Sequence, residues 1–327
     1  MKKNIFGFKE FDIDVYRLRS PDFYKNMISK RNQIYKNFQK FLIKNKRCQC
    51  LLCKSKNNKI FLKWKKYNLF LCQNCSLVFA NINFKKFKPE FFNTDDVKKK
   101  FIKQQMINSF NYRLNNFAHE RVKYIQENIK LKKNDIIFDY GCGFGSFLYA
   151  LKRKKILSRG SDFDLDSVNF CKSKKLEVSR LPFENQKDNS FKLITLFDVI
   201  EHLEMPIKFL KTARKKLKKD GYVLMFTPNI HSLSGKMMGP DHNMFAVFNH
   251  LCFYDYKSLS YLAKKTGFKI SKIEYFGLDI KDYLQMLEYN SKNTKLNKIL
   301  NNLSNTLQSV LDKHSLSNSM RIFLKKI

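Results

Sequence analysis

The sequence predicts an α/β protein: a parallel sheet with helices on both faces, preceded by a small cysteine-rich ribbon and helical segments. Three observations predict it. From Asp135 onward, short apolar runs alternate with amphipathic stretches, the pattern left by strands whose parallel connections are helices. One such run, Ile136-Ile137-Phe138-Asp139, passes directly into a glycine-rich turn and a helix. Ahead of it, Cys50-Leu51-Leu52-Cys53 and Cys72-Gln73-Asn74-Cys75 stand a hairpin's length apart.

At 327 residues the chain is long enough for about two domains, with ~150 residues per domain as a prior. No run approaches the ~20 uninterrupted apolar residues that a membrane span needs. The opening Met1-Lys2-Lys3 turns charged before a signal-peptide core can form, so the expected location is cytoplasmic. A formal charge of +36 suits a nucleic-acid surface. Yet Lys, Asn, Ile and Phe are abundant together, as AT-rich codons would make them, and the lysines are spread along the whole chain. Compositional drift is the preferred account. The charge does not choose between acidic substrates, membrane headgroups and RNA.

In order along the chain, residues 1–46 read as an N-terminal helical extension, with Pro21-Asp22 opening a helix that carries Phe23, Met27, Ile34 and Phe38. The ribbon spans 47–83, and a helical connector over 84–130 holds Val122, Ile125 and Ile129 at helical spacing. The α/β domain occupies 131–327. Its strands are expected at 136–139, 157–162, 191–197 and 222–226, with final ones at 269–276 and 320–325. Pro206 opens a helix with Ile207, Leu210, Ala213 and Leu217 on one face, stopped by Lys218-Lys219-Asp220-Gly221. Residues 231–250, with Gly235, Gly239 and Pro240, read as a lid loop, and 279–314 as a helical insertion striped by Leu296, Ile299, Leu303, Leu307 and Val310.

Cys50, Cys53, Cys72 and Cys75 offer four thiolates at a spacing that meets the tetrahedral preference of zinc. A segment this short cannot bury a self-sufficient core. Metal binding, worth about 10–16 kcal/mol in finger peptides, would hold it folded. Cys48 competes for the first position, but only Cys50 gives the two-residue spacer. A site closed by four protein ligands is structural.

The central signal is Asp139-Tyr140-Gly141-Cys142-Gly143-Phe144-Gly145-Ser146. The glycines permit positive φ and let a ligand lie against bare backbone, and the following helix turns its first N–H groups toward that ligand. No Gly-Lys-Ser/Thr follows, so this is not a phosphate loop. The second spacer is too short for the dinucleotide fingerprint. The next strand ends at Gly160-Ser161-Asp162, where a doubly wound fold places an acid for ribose hydroxyls.

Together with Leu181-Pro182-Phe183-Glu184, Phe197-Asp198-Val199-Ile200-Glu201-His202-Leu203 and Thr227-Pro228-Asn229, these motifs resemble the class I S-adenosylmethionine-dependent methyltransferases over roughly residues 131–277. The resemblance implies a Rossmann-like seven-stranded sheet. It implies that Asp139, Gly141, Gly143 and Gly145 hold the methionyl part of the cofactor, that Asp162 binds its ribose, and that Asp198 and Val199 sit beside it. The acid that relatives carry ahead of Leu-Pro-Phe is displaced here, leaving Glu177 as the candidate adenine contact. The layout is also similar to bacterial methyltransferases with an N-terminal zinc-binding segment, on Cys50–Cys53, Cys72–Cys75 and Asn249-His250-Leu251-Cys252-Phe253. That group implies a sugar, surface-polysaccharide or secondary-metabolite acceptor.

Methyl transfer is an in-line displacement, accelerated largely by holding donor and acceptor in line. A hydroxyl acceptor needs a base nearby, and His202 with Glu201 is the preferred candidate; the alternative is that the pair caps the next helix. Asp198, Glu201 and His202 are also spaced as in metal-binding members of the superfamily, with His250, or less favourably His242, as a fourth ligand to a divalent ion. The leading expectation is a small-molecule or glycan O-methyltransferase. An RNA methyltransferase and a non-catalytic binding protein on the same fold are the alternatives.

Overall fold

The computed structural model describes residues 13–18, 22–43, 48–87, 103–290 and 295–327. Pro21, much of the 84–130 connector and the side chain of Leu296 lie outside them.

The core of the fold is a seven-stranded sheet, here labelled β4 (Ile136–Tyr140), β5 (Ser158–Ser161), β6 (Val178–Ser179), β7 (Phe191–Phe197), β8 (Leu217–Pro228), β10 (Phe268–Phe276) and β11 (Ser319–Lys326). Its order is β10-β11-β8-β7-β4-β5-β6. The run from β6 to β8 is parallel, whereas β11 lies antiparallel between β8 and β10. Every residue of β7 is buried, as a parallel strand covered by helices on both faces should be. The strand order reverses between β4 and β7, so their carboxyl ends open the crevice where such sheets bind ligands. Asp139 and Asp198 stand at those two ends.

A second, four-stranded sheet comprises β1 (Asn58–Trp64), β2 (Tyr67–Cys72), β3 (Val78–Ala80) and β9 (Cys252–Phe253). Its last strand comes from the far side of the sequence. The two sheets share one hydrophobic core, in which Cys50, Leu69 and Phe79 of the ribbon join Ile200, Phe248 and Met225. A second core fills the opposite face, between β4, β7 and helices Ser146–Arg153 and His119–Asn128.

Two expected elements take other forms. Residues 231–250 include a helix, Leu233–Met238, because Ser232 caps it by accepting from the Gly235 N–H at 3.1 Å. The insertion forms three helices, Asp279–Tyr289, Lys295–Asn302 and Ser304–Lys313, broken at Leu303, and its stripe is half exposed at Ile299, Leu303 and Val310. Among the described residues, no helix is long and apolar enough to cross a membrane.

Candidate active site

The glycine turn sits at the crevice. Gly141, Gly143 and Gly145 have φ of 72°, 51° and 74°, the left-handed region that side chains resist. Their surroundings differ. A Cβ on Gly141 would meet Val199 Cγ2 at 2.7 Å, and one on Gly145 would meet Cys171 Sγ at 2.6 Å. A Cβ on Gly143 would meet nothing within 4 Å. Two glycines are therefore required by protein packing, and the third leaves bare backbone facing open space. Val199 backs the turn and does not line the cavity.

Two carboxylates frame this turn. Asp162 accepts the Gly143 N–H at 2.8 Å through one oxygen and the Asp164 N–H at 2.9 Å through the other. Burial raises its pKa, against those amide donors. Asp139 is buried and accepts the Thr195 hydroxyl at 2.7 Å. Burial pushes its pKa up to about 7, opposed by Thr195 and by Arg121.

A cavity of about 480 Å³ is lined by Asp139, Gly143 and Asp198 and by His242, Met244 and His250 in its wall. Leu18 and Phe23, from the N-terminal segments, also line it. Asp198 holds φ 57°, strained for a non-glycine residue, and its N–H donates to Phe226 O at 3.0 Å.

Glu201 is fully buried behind this wall. Its Oε2 accepts from Thr227 at 3.1 Å, while its Oε1 has no hydrogen-bond partner. Burial and the nearby Asp198 raise its pKa well above the usual range. The His202 and His250 rings lie edge to face with centroids 4.7 Å apart. Each Nδ1 meets a carbonyl, Asn249 O at 2.8 Å for His202 and Met244 O at 2.7 Å for His250. A carbonyl only accepts, so both Nδ1 atoms carry a proton. Desolvation first, and then its neighbour His202, pulls the His250 pKa down to about 3. One ligand atom from each of Glu201, His202 and His250 falls within a 4.8 Å set.

In the ribbon, the Sγ atoms of Cys50, Cys53, Cys72 and Cys75 also lie within 4.8 Å of one another. The pairs Cys50–Cys75 and Cys53–Cys72 are 3.4 Å apart. Tetrahedral zinc with ~2.3 Å bonds spaces its sulfurs about 3.8 Å apart, so the four thiols can hold it. The two knuckles are the same turn built twice. Lys54 N–H donates to Cys50 O and Ser76 N–H to Cys72 O, both at 3.0 Å, with positive φ at Lys54 and Ser76.

A family model described as a methyltransferase domain matches residues 110–273, half of the chain. The chain belongs to this methyltransferase family. Its seven-stranded sheet is of the Rossmann-like kind. Phosphoethanolamine N-methyltransferase 2 of Haemonchus contortus, solved with phosphomonomethylethanolamine and S-adenosylhomocysteine, has the same fold at a TM-score of 0.50. It is 14% identical over 76% of this chain and 62% of its own. A SAM-dependent methyltransferase of Archaeoglobus fulgidus aligns over 66% of this chain and 98% of its own, at 20% identity and a TM-score of 0.45. An uncharacterized protein of Methanocaldococcus jannaschii is 29% identical over 138 residues, 40% of this chain; the chain spans about 60% of that relative's length.

The methyltransferase brings some expected residues together and separates others. Glu201, His202 and His250 converge, but Asp198 stays outside their set and lines the cavity. Of the four expected ligands, three therefore converge, and Asp198 acts on Glu201 through its charge. His242 belongs to another network, because Met244 N–H donates to its Nδ1 at 3.0 Å and Ser234 Oγ lies 2.9 Å from its Nε2. Glu177 is paired at the surface with Arg159, 2.5 Å away. Sequence reasoning missed Arg121. Its guanidinium lies 4.2 Å over Phe197 and 5.0 Å over Phe226, lines the cavity, and has an Nε without a hydrogen-bond partner. It follows a π-helical turn at Leu114–Ala118, a feature frequent at functional sites but unreadable from residue order.

Proposed function

We propose that this methyltransferase methylates an oxygen of a small molecule or sugar precursor. The observation that carries the reading is the cavity itself, which the glycine turn, His250, Leu18 and Phe23 line together. A cavity of about 480 Å³ is of the size that takes a small acceptor.

In this reading the cofactor's methionyl end lies against Gly143, with its ammonium toward Asp139 and its carboxylate toward the Arg121 guanidinium. Opposite charges at a partly desolvated site favour that polarity. Asp162 receives the ribose hydroxyls, while Gly141 and Gly145 shape the turn. Phe163, the next residue, is 66% exposed and offers a ring face to the adenine. The bound cofactor supplies an electrophilic methyl group on a sulfonium.

His202, whose ring packs edge to face on the cavity-lining His250, is the proposed base for the acceptor hydroxyl, and Glu201 sets the polarity around it. The same cluster fits a divalent cation. Two imidazoles and a buried acid with an unsatisfied oxygen bring their ligand atoms within 4.8 Å of one another. Such an ion would lower the hydroxyl's pKa. The tetracysteine ribbon is proposed to hold a structural zinc.

The test incubates purified protein with methyl-labelled S-adenosylmethionine and cell extract, then fractionates the products. Label in the small-molecule or glycan fraction is expected. Label confined to RNA would favour the basic surface over the cavity and overturn the substrate reading.

A further inference from the structure

The ribbon is joined to the catalytic cluster by a short ladder of backbone bonds. Second-knuckle Cys75 is followed three residues later by Val78, the first residue of β3. On its outer edge β3 takes β9 as a partner, pairing Val78 with Phe253 and Phe79 with Cys252. Ala80 N–H then donates to Leu251 O at 3.1 Å. On the other side of the same residue, Leu251 N–H donates to Glu201 O at 2.8 Å. The neighbouring carbonyls are held as well, with the Tyr67 hydroxyl of β2 reaching His250 O at 3.4 Å and His202 Nδ1 reaching Asn249 O at 2.8 Å. Asn249, His250 and Leu251 are thus stretched between the ribbon on one side and the Glu201-His202 turn on the other.

We propose that the tetracysteine ribbon is a positioning device for the acceptor site. Metal held by Cys50, Cys53, Cys72 and Cys75 fixes the start of β3, and β3 fixes the strand that presents His250 to His202 and Glu201. The glycine turn and Arg121 stand on other elements and share none of these bonds, so cofactor binding does not depend on the ribbon. Tyr67 and Ala80 are the positioning residues; neither touches the cavity. The proposal rests on the reading of Glu201, His202 and His250 as the acceptor site.

Ala80→Pro removes the N–H that bonds Leu251 while leaving every cysteine in place. The chain has six histidines, so the imidazole signals of protein labelled with ¹⁵N-histidine can be assigned. In zinc-loaded Ala80→Pro, the His202 and His250 signals are expected to shift. The zinc content should stay at one per chain and affinity for S-adenosylhomocysteine within about twofold, while kcat falls at least tenfold. The milder Tyr67→Phe should move the same signals in the same direction. Should Ala80→Pro fail to fold, the same signals are read in Cys75→Ser and in zinc-loaded Tyr67→Phe, both with S-adenosylhomocysteine bound. Histidine signals unmoved in these experiments overturn the proposal. So does loss of cofactor binding together with zinc, because the metal would then hold up the whole fold. Signals that move while turnover stays constant sink a different claim, the assignment of this cluster as the acceptor site.

Discussion

The Asp162 carboxylate receives the N–H of Gly143, so the acid at the end of β5 is also a strut for the turn at the end of β4. A second oxygen ties down Asp164, which itself caps the next helix by accepting from Ser167 N–H. Both oxygens keep lone pairs for a ligand. Asp162→Ala removes the ribose partner and loosens the turn together. Charge-assisted bonds are worth about 1.5–3 kcal/mol each, so calorimetry should show S-adenosylhomocysteine affinity falling by about 100-fold. Unchanged affinity would show the ribose contact is misassigned.

Asp139 predicts a pH profile. Burial holds its pKa near about 7 in the empty protein, against 3.8 for an ordinary Asp. It must lose that proton to receive the cofactor's ammonium. Affinity should therefore climb about tenfold per pH unit below 7 and level above it, until the α-amino group itself titrates near about 8. The ligand-free fold runs the opposite way. A carboxyl raised in the folded state binds the extra proton there, so its contribution to stability is complete below pH 3.8 and is lost as pH rises through 7. Asp139→Asn should flatten the affinity profile in titrations from pH 5.5 to 7.5. A profile as steep as wild type would remove Asp139 from the site.

How far the sequence carried depended on the distance between partners. The glycine turn, the strand end at Asp162 and the two cysteine knuckles each show in a short local pattern, and that pattern places them in the fold. The Glu201-His202 pair was legible for the same reason. His250 found its place only through a strand that joins a sheet begun at Asn58, and no local pattern marks a two-residue strand. Arg121 depends on the packing of a helix over Phe197 and Phe226, which periodicity does not aim. Asp198 read as a ligand because acid-x-x-Glu-His is a spacing on a line, whereas the chain turns left-handed at that residue.

Arg121 itself gives the third prediction. Its charge is shared with Asp139 and Asp198, and its Nε has no bonded partner. If it receives the cofactor carboxylate, Arg121→Leu should weaken S-adenosylhomocysteine by about 10–100-fold, the equivalent of ~1.5–3 kcal/mol. Arg121→Lys should recover little of this, since an ammonium lacks the planar fork that matches a carboxylate. Equal affinities for wild type and Arg121→Leu by calorimetry would leave the residue a packing cation over two rings.

The three glycines should separate under substitution to Ala. At Gly145 a methyl would strike Cys171 Sγ at 2.6 Å and Leu176 Cδ1 at 2.8 Å, both buried. Left-handed backbone alone costs an L-residue about 1–2 kcal/mol, and overpacking adds about 1–3 kcal/mol. Gly145→Ala should therefore lower the unfolding free energy by several kcal/mol in urea titrations, with cofactor affinity weakened through the fold. At Gly143 the methyl meets open space, so only the backbone contribution of about 1–2 kcal/mol applies to stability. The same methyl projects where the cofactor must lie against backbone, so affinity should fall at least 30-fold. A Gly143→Ala protein that is slightly destabilised but binds S-adenosylhomocysteine normally would mean that the bare backbone of this turn faces solvent and not the cofactor.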